Sequence, residues 1–407
     1  MSLPSQRTTV STLLILSLLM AFGPLSTDLY LPALPTLARV LRAGQDQMAL
    51  TLSSYLIGFS VGQLLWGPIG DRYGRRAPVA AGLVLFILGS AGCGAATTAW
   101  QLIGWRVVQS VGAAAGPVLA RAMVRDLYEK ERSAQMLSTL MTVMAIAPLA
   151  APILGGQILW FGSWRAIFFT LCGAGLLALA ALLALPETLP PSRRLRQPLR
   201  ASLLDYVRLA RDPRLMLYAA TGGFFYAGIF AYIAASPFAY IDYFHVPAQM
   251  YGFVFALPIL GIMAVNLANT RLVMRLGGDR LCRIGTTTAA LAGLVAAAET
   301  RLGIGGLFGL AAAMVVYGAS SGFIIANSVA GALSAFPHRA GAASALVGSI
   351  HFGSGVLSAA LVGALADGTP WPMTAIIAVG GVGSFVCARW IAPARGVAAP
   401  VGDASPG

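Results

Sequence analysis

Long apolar stretches, each close to the length of a membrane-crossing helix, follow one another along this sequence with little between them. They fall near residues 11–33, 47–68, 77–97, 99–122, 135–160, 163–186, 214–240, 249–271, 281–300, 304–333, 341–366 and 371–392. A helix needs about 20 residues to cross the hydrocarbon core of a bilayer. The 407 residues are 57% hydrophobic and only 10% charged, which lies outside the range of soluble globular domains. The expected fold class is an all-α polytopic membrane protein with 12 transmembrane helices joined by short loops.

The net charge of +13 raises the question of a nucleic-acid partner, but the basic residues are dispersed over loops between apolar runs, and no nucleic acid is expected. Cytoplasmic loops of membrane proteins are enriched in Lys and Arg. With the N-terminus inside, the outer loops hold only Arg39, Arg42, Arg165 and Arg301, one arginine (Arg106) lies within a span, and the other 22 of the 27 basic residues fall on the inner side. That asymmetry predicts an even number of spans with both termini in the cytoplasm. The stretch from Arg7 through Leu25 is read as the first span rather than a cleaved signal, because the apolar run continues past Asp28 to Leu31. Cys93, Cys172, Cys282 and Cys387 are far apart and lack metal-ligand spacing, so buried free thiols are expected and no metal site.

The longest connection, Glu187 to Arg214, is rich in Pro and Arg. It predicts an N-terminal six-helix bundle over 1–190, a central cytoplasmic loop over 191–213 and a C-terminal six-helix bundle over 214–407. Within the connection, Ser202 to Leu209 reads either as a short amphipathic surface helix or as a solvated linker. The halves echo each other: Arg72-Tyr73-Gly74 returns as Arg275-Leu276-Gly277, as tandem repeats of parallel topology would.

Asp28 is the one acid inside an apolar run. A carboxylate at membrane depth is costly, so it is expected to face a water-filled cavity or carry a proton; the alternative is a capping role near the outer interface, where Pro32 and Pro35 make the chain irregular. Arg106 is its cationic counterpart in span 4, either a proton-coupling group or an arginine that holds spans together through backbone carbonyls. Span 5 carries Pro148, Pro152, Gly155 and Gly156, a bend flanked by small residues that allow close helix approach. Span 7 is aromatic, with Phe225 in it, and repeats Tyr232, Ser236 and Tyr240 at intervals of four, on one helical face. Rings and hydroxyls on one face suit an apolar ligand and equally suit helix packing. Tyr30, Gln63, Asn327 and His351 are further polar candidates for the same lining.

The loop between spans 2 and 3 is Gly67-Pro68-Ile69-Gly70-Asp71-Arg72-Tyr73-Gly74-Arg75-Arg76. It resembles the signature loop of the major facilitator superfamily, G-x-x-x-D-R-x-G-R-R, at every specified position: Gly67, Asp71, Arg72, Gly74, Arg75 and Arg76. Arg106-Val107-Val108-Gln109-Ser110-Val111-Gly112 resembles the family's R-x-x-Q-G-x-G, with Ser110 in place of a glycine. Ala147 to Gly156 resembles the antiporter motif, with Ala151 in place of a glycine. Asp28 to Pro35, Ala120 to Tyr128, Trp164 to Phe169, Leu185 to Leu189 and Ala235 to Tyr240 resemble one branch, the bicyclomycin and chloramphenicol resistance (Bcr/CflA) drug:proton antiporters.

The resemblance implies two six-helix bundles around a central cavity, export of small, largely apolar drugs in exchange for protons, and location in the bacterial inner membrane as a monomer. It implies proton coupling through Asp28 and Arg106, and docking of Asp71 near the start of span 11 when the cavity closes to the cytoplasm. No cofactor and no enzymatic activity are expected. Two alternatives are a proton symporter that imports a small metabolite, which the span 5 motif opposes, and a non-transporting membrane sensor, which the lack of an appended soluble domain opposes.

Overall fold

The computed structural model describes residues 6–194, 206–336 and 339–391. Twelve long helices run through them: α1 Gln6–Asp28, α2 Gln45–Tyr73, α3 Arg76–Ala95, α4 Ala99–Leu127, α5 Lys130–Phe161, α6 Trp164–Leu182, α7 Pro213–Pro237, α8 Ala248–Leu276, α9 Gly278–Leu302, α10 Gly306–Ser334, α11 Ala340–Ala364 and α12 Trp371–Trp390. Eleven spans have the length and apolarity to cross a membrane, and α5 adds an apolar stretch, Ile146–Phe161.

Local chemistry explains several boundaries. Thr98 and Asp212 cap α4 and α7 by accepting hydrogen bonds from the backbone N–H groups of Gln101 and Leu215, which satisfies donors that a helix start leaves open. At the other ends of α2 and α8, Gly74 (φ 95°) and Gly277 (φ 77°) take the positive φ that only glycine adopts freely. These are the two glycines of the repeated Arg-x-Gly, so the sequence echo corresponds to one helix-ending turn used twice.

Two ends differ from the sequence reading. The first helix stops at Asp28, and a 3-10 turn at Leu31–Ala33 and a two-turn helix at Leu34–Val40 follow it. The prolines at 32 and 35 supply no N–H and begin these short turns instead of extending α1. The seventh helix stops at Pro237 and widens into a π-helical turn, Phe238–Tyr243. Tyr240 therefore sits on that turn rather than on a continuous face with Tyr232 and Ser236. In the central connection, residues 206–209 are helical and Leu209 is buried; residues 202–205 of the expected amphipathic helix lie outside the described residues.

The halves repeat one packing scheme. In the first, α2 and α3 pack on α4, α3 on α6, and α1 on α4 and α5. In the second, α8 and α9 pack on α10, α9 on α12, and α7 on α10 and α11. The main contacts between halves, α2 with α11 and α5 with α8, exchange with each other when each helix is replaced by its counterpart. A pseudo-two-fold arrangement of parallel repeats follows.

The halves meet at the end away from the arginine-rich loops. Gly363 packs on Asp46 and Ala49, Gly252 on the backbone of Pro152 and Ile153, and Gly156 on Ala248 and Gln249. Ser53 and Ser349 donate across the junction to the carbonyls of Val356 (3.2 Å) and Ser60 (3.4 Å). Towards the basic end the close approach of α2 and α11 ends: a Cβ at Gly67 would touch only Val118 of its own half, and one at Gly341 would touch nothing within 4 Å.

Candidate functional site

Asp28 ends α1 at the junction of the halves and is only 4% exposed. Its Oδ1 has no hydrogen-bond partner. The fit around it is close, since a Cβ at Gly155 of α5 would strike the carbonyl of the next residue, Leu29. The glycine of the span 5 motif thus lets α5 lie against the chain beside the acid. Pro148 and Pro152 stand within a helix that runs unbroken to Phe161.

Arg106 is fully buried. Its Nη1 donates to the carbonyl of Ser26 (2.8 Å) and to Oε1 of Gln109 (2.7 Å), and its Nε donates to the carbonyl of Thr51 (3.4 Å). Gln109 in turn donates to Ser90 Oγ (2.9 Å). The guanidinium lies between the rings of Tyr30 and Tyr55, 4.3 and 4.2 Å from their centroids. A desolvated cation over an aromatic face gains about 2 kcal/mol. Arg106 thus ties α1, α2 and α4 together, the arrangement expected of an arginine that holds spans. Its Nη2 is left without a partner. Asp28 forms no ion pair with it, whereas at the basic end Arg75 pairs with Asp71 and with Asp126.

The second half faces this cluster with aromatic hydroxyls. Ser236 and Tyr251 share a hydrogen bond of 2.8 Å, and Tyr251 lies within electrostatic reach of both Asp28 and Tyr30. Tyr232 stacks on Phe255 (5.4 Å) and meets Tyr240 edge-on (6.2 Å). The hydroxyls of Tyr232 and Tyr240 are buried without partners. Tyr30, whose hydroxyl meets Thr51 Oγ1 at 3.1 Å, belongs to the same neighbourhood.

The other candidates disperse. Gln63 sits against Gly348 where α2 crosses α11. His351 stacks on Tyr226 (5.0 Å) with its Nε2 unpartnered. Phe225 stacks on Tyr317 (5.0 Å), whose hydroxyl donates to its carbonyl. Asn327 donates to Asn269 (2.8 Å) and to the carbonyl of Phe323, so its amide serves helix pairing between α10 and α8. Tyr55, Thr51, Tyr251 and Phe255 have site positions that sequence reasoning did not single out. Tyrosine and threonine in apolar runs look like ordinary packing, and only the distance from Asp28 and Arg106 distinguishes them.

At the basic end, Gly67 to Tyr73 form the last turns of α2 rather than a loop, and the tight turn at Gly74 and Arg75 before α3 closes a charge network. Arg75 donates to Asp71 (2.6 Å) and to Asp126 of α4 (2.8 Å). Glu187 accepts from the backbone N–H groups of Arg75 (2.8 Å), Leu189 (3.0 Å) and Arg76 (3.2 Å). Partial burial works to raise the Glu187 pKa, but these N–H donors and the Arg194 charge outweigh it and hold the carboxyl below its ordinary range. Asp71 points its charge at Arg75, and that charge, after burial, helps to raise the pKa of Tyr206 in the central connection. Arg72 lies over the ring of Tyr73, 5.5 Å from its centroid.

A family model described as Major Facilitator Superfamily matches residues 16–241. An uncharacterized MFS-type transporter, YdgK, of Bacillus subtilis (strain 168) is 34% identical, over 92% of this chain and 94% of its own length. A bicyclomycin resistance protein homolog of Haemophilus influenzae is 31% identical, over 90% of this chain and 92% of its own. The xylose transporter XylE of E. coli, in a partially occluded inward-open conformation, superposes with a TM-score of 0.75 over 95% of this chain and 98% of its own, at 14% identity, a likeness of fold alone.

Proposed function

This chain belongs to the major facilitator superfamily, and from that premise we propose that it exports small, largely apolar drugs, of the bicyclomycin or chloramphenicol kind, in exchange for protons across the bacterial inner membrane. The observation that carries the reading is Asp28: a buried carboxyl with an open oxygen, at the junction of the two halves. An acid at that depth with its lone pairs satisfied would serve structure. One left open, near a buried cation, is equipped to take up and release a proton.

With both termini cytoplasmic, the junction that is packed lies outside and the end where α2 and α11 lose close approach lies inside, so the state described is inward-facing. In this state Asp28 gives its proton to the cytoplasm and drug enters against Tyr232, Ser236 and Tyr240. Rocking of the halves about the α2–α11 and α5–α8 contacts then opens the site outward, where drug leaves and Asp28 reloads. Arg106 fixes the geometry around the acid. The protein acts as a monomer and draws on the proton gradient alone. The resistance named for the Haemophilus relative supports export over import.

The test is a drug-susceptibility panel in a pump-deficient bacterium expressing this chain. Raised tolerance to a subset of apolar antibiotics, with lower cell accumulation, is the expected outcome. Unchanged tolerance, or higher accumulation of any compound, contradicts the proposal.

A further inference from the structure

The groove between the start of α3 and the end of α6 is independent of the transport site. It holds about 380 Å³ and is lined by Tyr73, Arg76, Ala77, Leu179, Leu183 and Arg194, among others. One end is charged and the other is apolar. Leu183, at the α6 terminus, is 74% exposed, and the exposed Leu176 continues the same face of α6 two turns deeper. On α3, Val84 and Leu88 are exposed in the same way below Ala77. These stripes lie on membrane-crossing segments, so the apolar end of the groove faces acyl chains. The charged end stands where those segments stop, at the level of lipid headgroups.

The two arginines form no direct ion pair among the described residues, although the Arg194 charge acts on Glu187 across the groove. Arg76 donates across the groove from its Nη2 to the carbonyl of Leu183 (3.2 Å), leaving its other donors to the groove. Arg194 keeps a buried Nε without a partner, and its Nη2 reaches so close to Gly74 that a Cβ there would stand 2.8 Å from it. The one carboxylate lining the groove, Glu187, is committed to three backbone N–H groups, including those of Arg75 and Arg76. The start of α3 is therefore already capped, and an incoming anion meets guanidinium groups rather than open backbone donors.

We propose that this groove binds an acidic phospholipid of the cytoplasmic leaflet, its phosphate held between Arg76 and Arg194 and one acyl chain laid along Leu179 and Leu183. Charge and hydrophobicity select the same ligand here. Planar guanidinium groups match phosphate, basic pockets between membrane helices take acidic headgroups, and a soluble phosphate makes no use of the leucines. Such a lipid touches both the signature loop and the segment after α6, and so joins the membrane to the charge network of Arg75.

The test is native mass spectrometry of the full chain released from mixed micelles of phosphatidylglycerol and phosphatidylcholine. Wild-type protein is expected to keep phosphatidylglycerol selectively. Each surface-proximal arginine adds affinity, so R76A or R194A should weaken retention about fivefold, and the double variant about thirtyfold. Leu183→Glu, which leaves both arginines in place but sets an acid at the mouth, should do at least as much as one arginine; it guards against a merely misfolded arginine variant, as does an unchanged thermal midpoint. Equal retention of the two lipids, or retention unaffected in R194A and Leu183→Glu, overturns the proposal. So does displacement of the bound lipid by free glycerol phosphate at equal concentration, which would mark a soluble-anion site.

Discussion

The signature loop and the Asp28 cluster both take charge out of water, and they satisfy it in opposite ways. Arg75 and Glu187 are both answered: the guanidinium meets Asp71 and Asp126, and Glu187 meets three backbone donors. Around Asp28 and Arg106 the arginine is bound to neutral carbonyls, an amide and two rings, while Asp28 Oδ1 and Arg106 Nη2 stay open. A closed network of charges stabilises one arrangement. An open one leaves groups whose partners arrive with substrate or proton. The comparison separates a latch from a working site by hydrogen-bond satisfaction alone, and each part of it can be broken separately.

The largest effect belongs to the open cluster. Asp28→Asn keeps size and polarity but cannot cycle a proton, so it should abolish drug tolerance while protein level and membrane insertion stay at wild-type values. Tolerance retained in that variant, read as inhibitory concentration against immunoblotted protein, would contradict the role given to Asp28.

Next comes the latch. Arg75→Ala leaves Asp71 and Asp126 facing each other without their cation. Breaking a buried pair costs about 3–5 kcal/mol, and the exposure of Asp71 (40%) reduces this to about 2 kcal/mol. A clearly lowered thermal midpoint in detergent is expected. Arg106→Lys should cost stability too, since an ammonium cannot reproduce the planar stacking between Tyr30 and Tyr55, and intrinsic tryptophan unfolding curves would report it.

A smaller and more selective effect is expected on the aromatic face. Tyr232→Ala and Tyr240→Ala should shift tolerance unevenly, severalfold for some drugs and little for others. A uniform loss that tracks protein level would assign these rings to packing. Asp71→Asn should slow transport about two- to fivefold with drug binding retained, because a carboxylate near the start of α11 in the outward state contributes about 0.3–1 kcal/mol. Loss of binding as well would show that the loop is needed to fold the bundle.

The smallest effect is a pH dependence at the latch. The Glu187 pKa is held below its ordinary 4.5, so its contribution to stability is complete above that value and disappears as pH falls through the depressed folded pKa. The thermal midpoint should fall under acid conditions below about pH 4.5 in the wild type, and Glu187→Gln should flatten that fall.

Much of this is legible in the sequence. Apolar runs of span length fix helix number because lipid leaves the backbone no other partners, and the repeated Arg-x-Gly marks the same turn in each half. Asp28 and Arg106 stand out because a charge in an apolar run has no packing explanation. What the pattern could not carry is partnership across helices. Asn327 looks like a cavity residue until Asn269 is found 2.8 Å away, and Tyr55 looks like packing until Arg106 is found 4.2 Å from its ring centroid. The π-helical turn after Pro237 also escapes periodicity, since a single widened turn leaves no mark on an already aromatic sequence.

The most direct measurement is proton movement driven by drug. The protein is reconstituted in liposomes with a pH-sensitive dye inside, and a chloramphenicol gradient is imposed with no initial pH difference. Wild-type protein should move protons against the direction of drug flow, and Asp28→Asn should move none while still binding drug. Drug-driven proton flux that persists in Asp28→Asn, or proton flux in the same direction as the drug, would contradict exchange through Asp28.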